Sequence, residues 1–162
     1  MGRDINRRVK EATKADNSNS NWQYRPMMRT PSPETLETAQ IGFDRFKRGL
    51  ATGEWEAFLE MLTDDVTFFF PAGPYKGLNH GVQKLGDFLR SATRTVFAGG
   101  LTLDEERISG GDTTVIFEAR SRGKIWGNPY ENQVAIAFEI RGDRICSYRE
   151  YLAVSFTLAP EK

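Results

Sequence analysis

Glu150 is the residue of this sequence best placed to do chemistry. It lies in residues 145–152, ICSYREYL, a strand-like run in which Tyr148 and Leu152 alternate onto the same face. A carboxyl set among apolar neighbours resists ionisation, so its pKa rises toward neutrality and it can give or take a proton. The alternative is a structural carboxylate paired with Arg120 or Arg122. Glu118 and Arg120 stand two apart on another strand-like run and therefore share a face. They form either a polar cluster in a pocket or a solvated stripe. The pocket reading makes Arg120 a second candidate catalytic group and Glu118 a ligand contact. His80, the single histidine, falls near a helix start, where a cation is disfavoured, and reads as a surface or capping residue. Cys146, the single cysteine, reads as a small buried hydrophobe with no partner histidine. The sequence shows no phosphate-binding glycine loop, metal-spaced ligand set or Ser-His-Asp arrangement, so neither a metal nor a cofactor is expected.

The elements that must hold Glu150 are the two strands of residues 123–152, joined at Arg141-Gly142-Asp143-Arg144. Val134, Ile136, Phe138 and Ile140 alternate with Gln133, Ala135, Ala137 and Glu139, the period of two that strands need. Pairing 140 with 145 sets Ala137 opposite Tyr148 and Ala135 opposite Glu150. That register predicts a hollow lined by small alanines, an aromatic and a carboxylate. It sends Val134, Ile136, Phe138 and Ile140 to the outer face, together with Ile145 and Tyr151. Such a patch needs cover, and the expectation is a homodimer formed sheet against sheet through it.

Earlier in the chain, Ser32-Pro33-Glu34 is a helix start, with Ser as N-cap and Pro in the first turn. Leu36, Ala39, Phe43, Phe46 and Leu50 then mark one buried stripe that Gly53 ends. A short second helix carries Trp55, Phe58, Leu59 and Leu62 inward. Residues 66–70 form a strand stopped by Pro71, and residues 72–77 a Pro/Gly loop. Asn79 can cap a third helix with Val82, Leu85, Phe88 and Leu89 on its apolar face. From Gly100 the period becomes two: strands over 101–108 and 113–122 flank the turn Ser109-Gly110-Gly111-Asp112. Helices gathered ahead of a run of strands indicate an α+β domain, with helices on one face of a curved antiparallel sheet.

Composition sets outer limits. A chain of 162 residues makes one domain with an adequate core. Residues 1–31 read as a polar, largely flexible tail, within which Trp22, Tyr24, Met27 and Met28 could dock on the body; residues 32–158 form the domain. The 22 basic and 22 acidic residues divide unevenly, seven basic and three acidic falling within residues 1–33. The acidic body argues against nucleic acid as a partner. No apolar run is long enough to span a membrane and no signal-peptide pattern opens the chain, so a cytoplasmic protein is expected.

Three phrases then carry a family resemblance: GEWEAFLEMLTDDVTFFFPAGPYKG, HGVQKLGDFL and FEIRGDRICSYREYL. Over residues 34–157 they resemble the nuclear transport factor 2-like superfamily, nearest its SnoaL-like polyketide cyclase branch. The resemblance implies a conical, cystatin-like roll of three helices on a strongly curved sheet, and commonly a dimer. It does not fix a reaction, because one scaffold carries isomerases, dehydratases, epoxide hydrolases, cyclases and binding proteins. The ketosteroid isomerase template places its base at Phe70, its oxyanion Tyr at Phe46 and its oxyanion Asp near Val134, all apolar here. The limonene epoxide hydrolase template meets Glu118-Ala119-Arg120 in reversed order and Ala153. The SnoaL-type template places its acid/base Asp at Glu150, a matching carboxylate, while its His falls near Ala135 or Ile136.

The aromatics Trp55, Phe70, Tyr75, Trp126 and Tyr148 gather where the hollow of such a cone would be, so they and Glu118 are the expected ligand contacts. The expected function is binding of a small apolar molecule, such as a polyketide or terpenoid, with cofactor-free acid/base chemistry of cyclase or isomerase type through Glu150. The alternative is a non-catalytic interaction module or carrier whose hollow its own side chains fill.

Overall fold

The computed structural model describes residues 30–153. The expected tail therefore lies almost wholly outside the described residues, as do residues 154–158 of the expected domain. Helix α1 (Pro33–Thr52) starts where its cap requires: the Ser32 hydroxyl accepts the Thr35 N–H at 3.1 Å. It stops at Gly53, whose left-handed φ of 80° returns its N–H to the Gly49 carbonyl at 2.8 Å. Ala39, Phe43, Phe46 and Leu50 form its buried stripe, while Leu36 remains 40% exposed near the helix start. Gly49 is needed for close approach, because a Cβ there would lie 2.3 Å from Trp55 Cε3. Helix α2 (Glu56–Leu59) is one turn long, and α3 (Val82–Thr95) buries Leu85, Gly86, Phe88 and Leu89.

Six strands form one curved sheet: β1 (Leu62–Phe70), β2 (Gly77–His80), β3 (Leu101–Gly110), β4 (Thr114–Ile125), β5 (Asn128–Arg141) and β6 (Arg144–Leu152). Their spatial order is β2-β1-β6-β5-β4-β3. All neighbouring pairs are antiparallel except β1 with β6, which run parallel. The wholly antiparallel expectation is corrected there. The intervening chain, rather than a tight hairpin, joins those two strands, so nothing forces them to oppose. The strand β2, which follows directly on the Pro/Gly loop, was not foreseen. Asn79 lies in it and does not cap α3: its Nδ2 donates to the Tyr75 and Gly77 carbonyls at 2.7 and 3.2 Å. It thereby fixes the short 3-10 turn Gly73–Tyr75.

The β5–β6 register corrects the expected faces. Ile140 does pair with Ile145, but the next pair is Glu139 with Ser147, so Cys146 is an extra residue in a β-bulge. Beyond it Phe138 pairs with Tyr148 and Ile136 with Glu150. One inserted residue reverses which side chains share a face. Val134, Ile136, Phe138 and Ile140 are accordingly core, each at most 5% exposed, and Ile145 is fully buried with them. Of the expected outer patch only Tyr151 lies outside, half exposed and 5.8 Å from the Phe69 ring. The apolar patch through which a homodimer was expected therefore lies inside the fold, apart from Tyr151.

The inner face of the sheet and the helices share one aromatic core. Phe43 stacks on Phe117 with centroids 4.2 Å apart and planes within 2°. Phe46 meets the edges of Trp55 and Phe58 at 5.4 and 5.2 Å and tilts against Tyr148 at 5.4 Å. Each such ring contributes roughly 1.5–3 kcal/mol by leaving water.

Candidate functional site

The core is incomplete toward the end of α3. There the helices, the tip of the β4–β5 hairpin and the inner sheet face enclose a hollow of about 390 Å3. That volume lies within the range of roughly 300–1,000 Å3 typical of small-molecule sites. Phe70, Tyr75 and Phe88 wall one side, with Phe88 centred 4.8 Å from Phe70 and 5.0 Å from Tyr75. Leu101, Leu103, Val134 and Ile136 supply the sheet wall, and Ser121, Tyr130, Tyr148 and Glu150 its polar groups.

Glu150 reaches this hollow because it lies two residues beyond Tyr148, past the bulge, on the inner face. The Tyr148 hydroxyl donates to Glu150 Oε2. Tyr148 is completely buried, whereas Glu150 keeps some accessible surface at the wall. Apolar surroundings push the Glu150 carboxyl up to about 7, against the opposing pull of the Tyr148 hydrogen bond. Burial also raises the Tyr148 phenol well above its ordinary value, reinforced by the neighbouring Glu150 charge. Tyr130 is raised for the same reasons, burial first and the Glu150 charge contributing, while its hydrogen bond with Asn132 opposes them. The result is a carboxyl able to donate or accept a proton near neutrality, with two phenols that stay protonated beside it.

Trp126 stands at the mouth. Together with Gly127 it forms a two-residue turn between the paired residues Ile125 and Asn128. Its φ of 48° is left-handed, a conformation that non-glycine residues rarely take. Its N–H donates to the Val96 carbonyl at 2.7 Å, tying the hairpin tip to the end of α3, while the residue is 74% exposed.

Of the residues expected from sequence, Glu150, Tyr148, Phe70, Tyr75 and Trp126 line the hollow. Three do not. Arg120 lies on the outer face, bonded to Glu106 and Glu131 at 3.0 Å each, and Glu118 shares that face 3.6 Å from Arg107. The pocket reading of this pair is corrected in favour of the solvated stripe, and Glu150 has neither Arg120 nor Arg122 as a partner. Trp55 packs wholly inside the core, its indole N–H donating to Thr93 Oγ1 at 2.8 Å, out of reach of the hollow. The reading from sequence omitted Ser121 and Tyr130. The signal for Ser121 was present: Val115, Phe117 and Ala119 alternate inward on β4, which makes Ser121 the next inward residue and sends Glu118 and Arg120 outward.

Among the described residues no group of His, Cys, Asp and Glu could hold a metal ion, and no helix is long and apolar enough to cross a membrane.

The SnoaL-like domain family matches residues 43–148 of this chain. Among solved structures, a nuclear transport factor 2-like protein from Anabaena variabilis is 46% identical, with a TM-score of 0.73, over 76% of this chain and 92% of that one. An epoxide hydrolase of limonene epoxide hydrolase type from M. tuberculosis is 21% identical, with a TM-score of 0.60, over 75% and 86%. A proposed polyketide cyclase from Xanthomonas campestris is also 21% identical, with a TM-score of 0.60, over 73% and 89%. These last two share the fold. A search of the curated proteins finds no match. The length of the family match and the 46% identity agree with the bent sheet, its three helices and the open core: the chain belongs to the SnoaL-like family, on the nuclear transport factor 2-like fold.

Proposed function

We propose that the protein binds a small apolar molecule in the hollow and exchanges a proton with it through Glu150, in a reaction of cyclase or isomerase type. The observation that carries this reading is one carboxyl, held at about 7, facing an otherwise largely apolar cavity. Near neutral pH such a group is divided between its two forms, so one residue can take a proton from carbon or oxygen and return it elsewhere. The Tyr148 hydroxyl stabilises the carboxylate form by donating to it. The aromatic walls exclude water and favour a flat substrate. The names of two similar structures, an epoxide hydrolase and a proposed polyketide cyclase, belong to the same range of small organic substrates.

A second reading, a carrier without turnover, is favoured by a specific observation. Phe46, Phe70, Val134 and Ala153 occupy the positions at which the resemblance expects the catalytic groups of better-known relatives. Two measurements separate the readings. Native mass spectrometry of protein purified from its own source should reveal a retained small molecule, and Ala92→Trp, which fills the hollow, should abolish its retention. If that molecule is altered over time by the wild type and not by Glu150→Gln, the protein is an enzyme. Retention without change makes it a carrier, and retention undiminished by Ala92→Trp would remove the hollow from the account.

A further inference from the structure

We infer that the hollow recognises a lipophilic amine in its ammonium form, seated against Glu150 with the aromatic walls around it. The inference rests on the hollow being a ligand site, and it names the class of ligand. Among the described residues, the walls of the hollow contain one acidic side chain, Glu150, and no Lys, Arg or His. Every salt bridge among the described residues lies elsewhere, and none includes Glu150. Buried carboxylates in proteins are ordinarily paired, because an unpaired charge away from water is costly. Here the internal partner is a neutral phenol, Tyr148, which donates one hydrogen bond and supplies no charge. The missing counter-charge is what an ammonium ion would bring.

The remaining walls suit such an ion. Phe70, Tyr75, Phe88, Phe97, Trp126 and Tyr130 line it with aromatic rings, whose quadrupoles attract cations while their bulk accepts a hydrocarbon body. An anionic ligand would meet the Glu150 charge with no cation to offset it. Either form of the site leads to one product. The carboxylate pairs directly with an ammonium, and the protonated carboxyl passes its proton to a free-base amine, giving the same carboxylate–ammonium pair.

The test uses three probes of matched shape, naphthylmethylamine, naphthylmethanol and naphthoic acid, titrated calorimetrically into the full chain at about pH 8, where Glu150 is mostly ionised. The amine should bind at least ~10-fold more tightly than the alcohol, with the acid weakest. In Glu150→Gln, shown to be folded by circular dichroism, the amine-to-alcohol ratio should collapse to about one. A second measurement, at about pH 7 in buffers of different ionisation heat, should find protons released on amine binding and none on alcohol binding. Equal affinity of wild type for amine and alcohol would overturn the inference while leaving the apolar site standing. An amine preference as strong in Glu150→Gln as in wild type would also overturn it, since the selectivity would arise elsewhere. Failure of all three probes to bind would overturn the ligand-site reading as well.

Discussion

Glu150→Gln keeps the shape of the side chain and removes its titration, so it converts the buried carboxyl into a measurable stability difference. In the native fold the carboxyl titrates at about 7, against an ordinary 4.5. Between those two values the folded protein holds a proton that the unfolded chain has lost. The sign follows directly. The contribution of this group is fully present below 4.5 and drains away as pH rises through about 7, because ionisation costs more inside the fold. At about 1.36 kcal/mol per pH unit, the whole difference amounts to ~3 kcal/mol. Glutamine cannot ionise, so the variant escapes this loss. Urea unfolding of both proteins at about pH 5 and about pH 8 would read it, since each midpoint and slope yields a free energy. The stability of the variant relative to wild type should rise by ~2–3 kcal/mol from the acid to the alkaline condition. Parallel pH dependences in the two proteins would refute the reasoning, for Glu150 would then be ordinarily solvated.

Three further perturbations address the parts around this carboxyl. Tyr148→Phe removes the hydrogen bond that holds Glu150 down, so its midpoint should move above about 7, read from the carboxylate infrared band; the change should also cost ~1 kcal/mol of stability. Gly49→Ala drives a methyl to 2.3 Å from Trp55 Cε3 and should destabilise the fold by ~1–3 kcal/mol, seen as a lower Tm. Trp126→Asn places a residue tolerant of positive φ in the strained turn, so Tm should hold or rise, while affinity for naphthylmethylamine falls.

The fold was largely legible because its signals are local. Ser32, Pro33 and Gly53 bound α1 through their own chemistry, and a period of two runs through the last four strands. The inward face of β6 was legible too, since Tyr148, Glu150 and Leu152 alternate within one strand. What failed was the face of its partner. The bulge at Cys146 adds one residue on one side of a pairing, and nothing in a single strand announces it. The assignment of Arg120 and Glu118 failed for a different reason. Their charges drew them toward the pocket, although the apolar alternation of Val115, Phe117 and Ala119 already pointed the other way. Trp55 was misplaced because an aromatic near a hollow and one beneath it look alike in sequence. Full burial, the bond to Thr93 and the tight fit against Gly49 separate them. Tyr130 shares the parity of Val134 and Ile136, so the same bulge hid its place at the wall.

The most direct test is the titration of Glu150 itself. Carbon-13 labelling of the glutamate side-chain carboxyls, with the Glu150 resonance assigned by its loss in Glu150→Gln, would follow this one group by NMR as pH is varied. The account predicts a midpoint near 7 in the empty protein and a clear displacement when naphthylmethylamine occupies the hollow. A midpoint at the ordinary 4.5, unmoved by the probe, would contradict it.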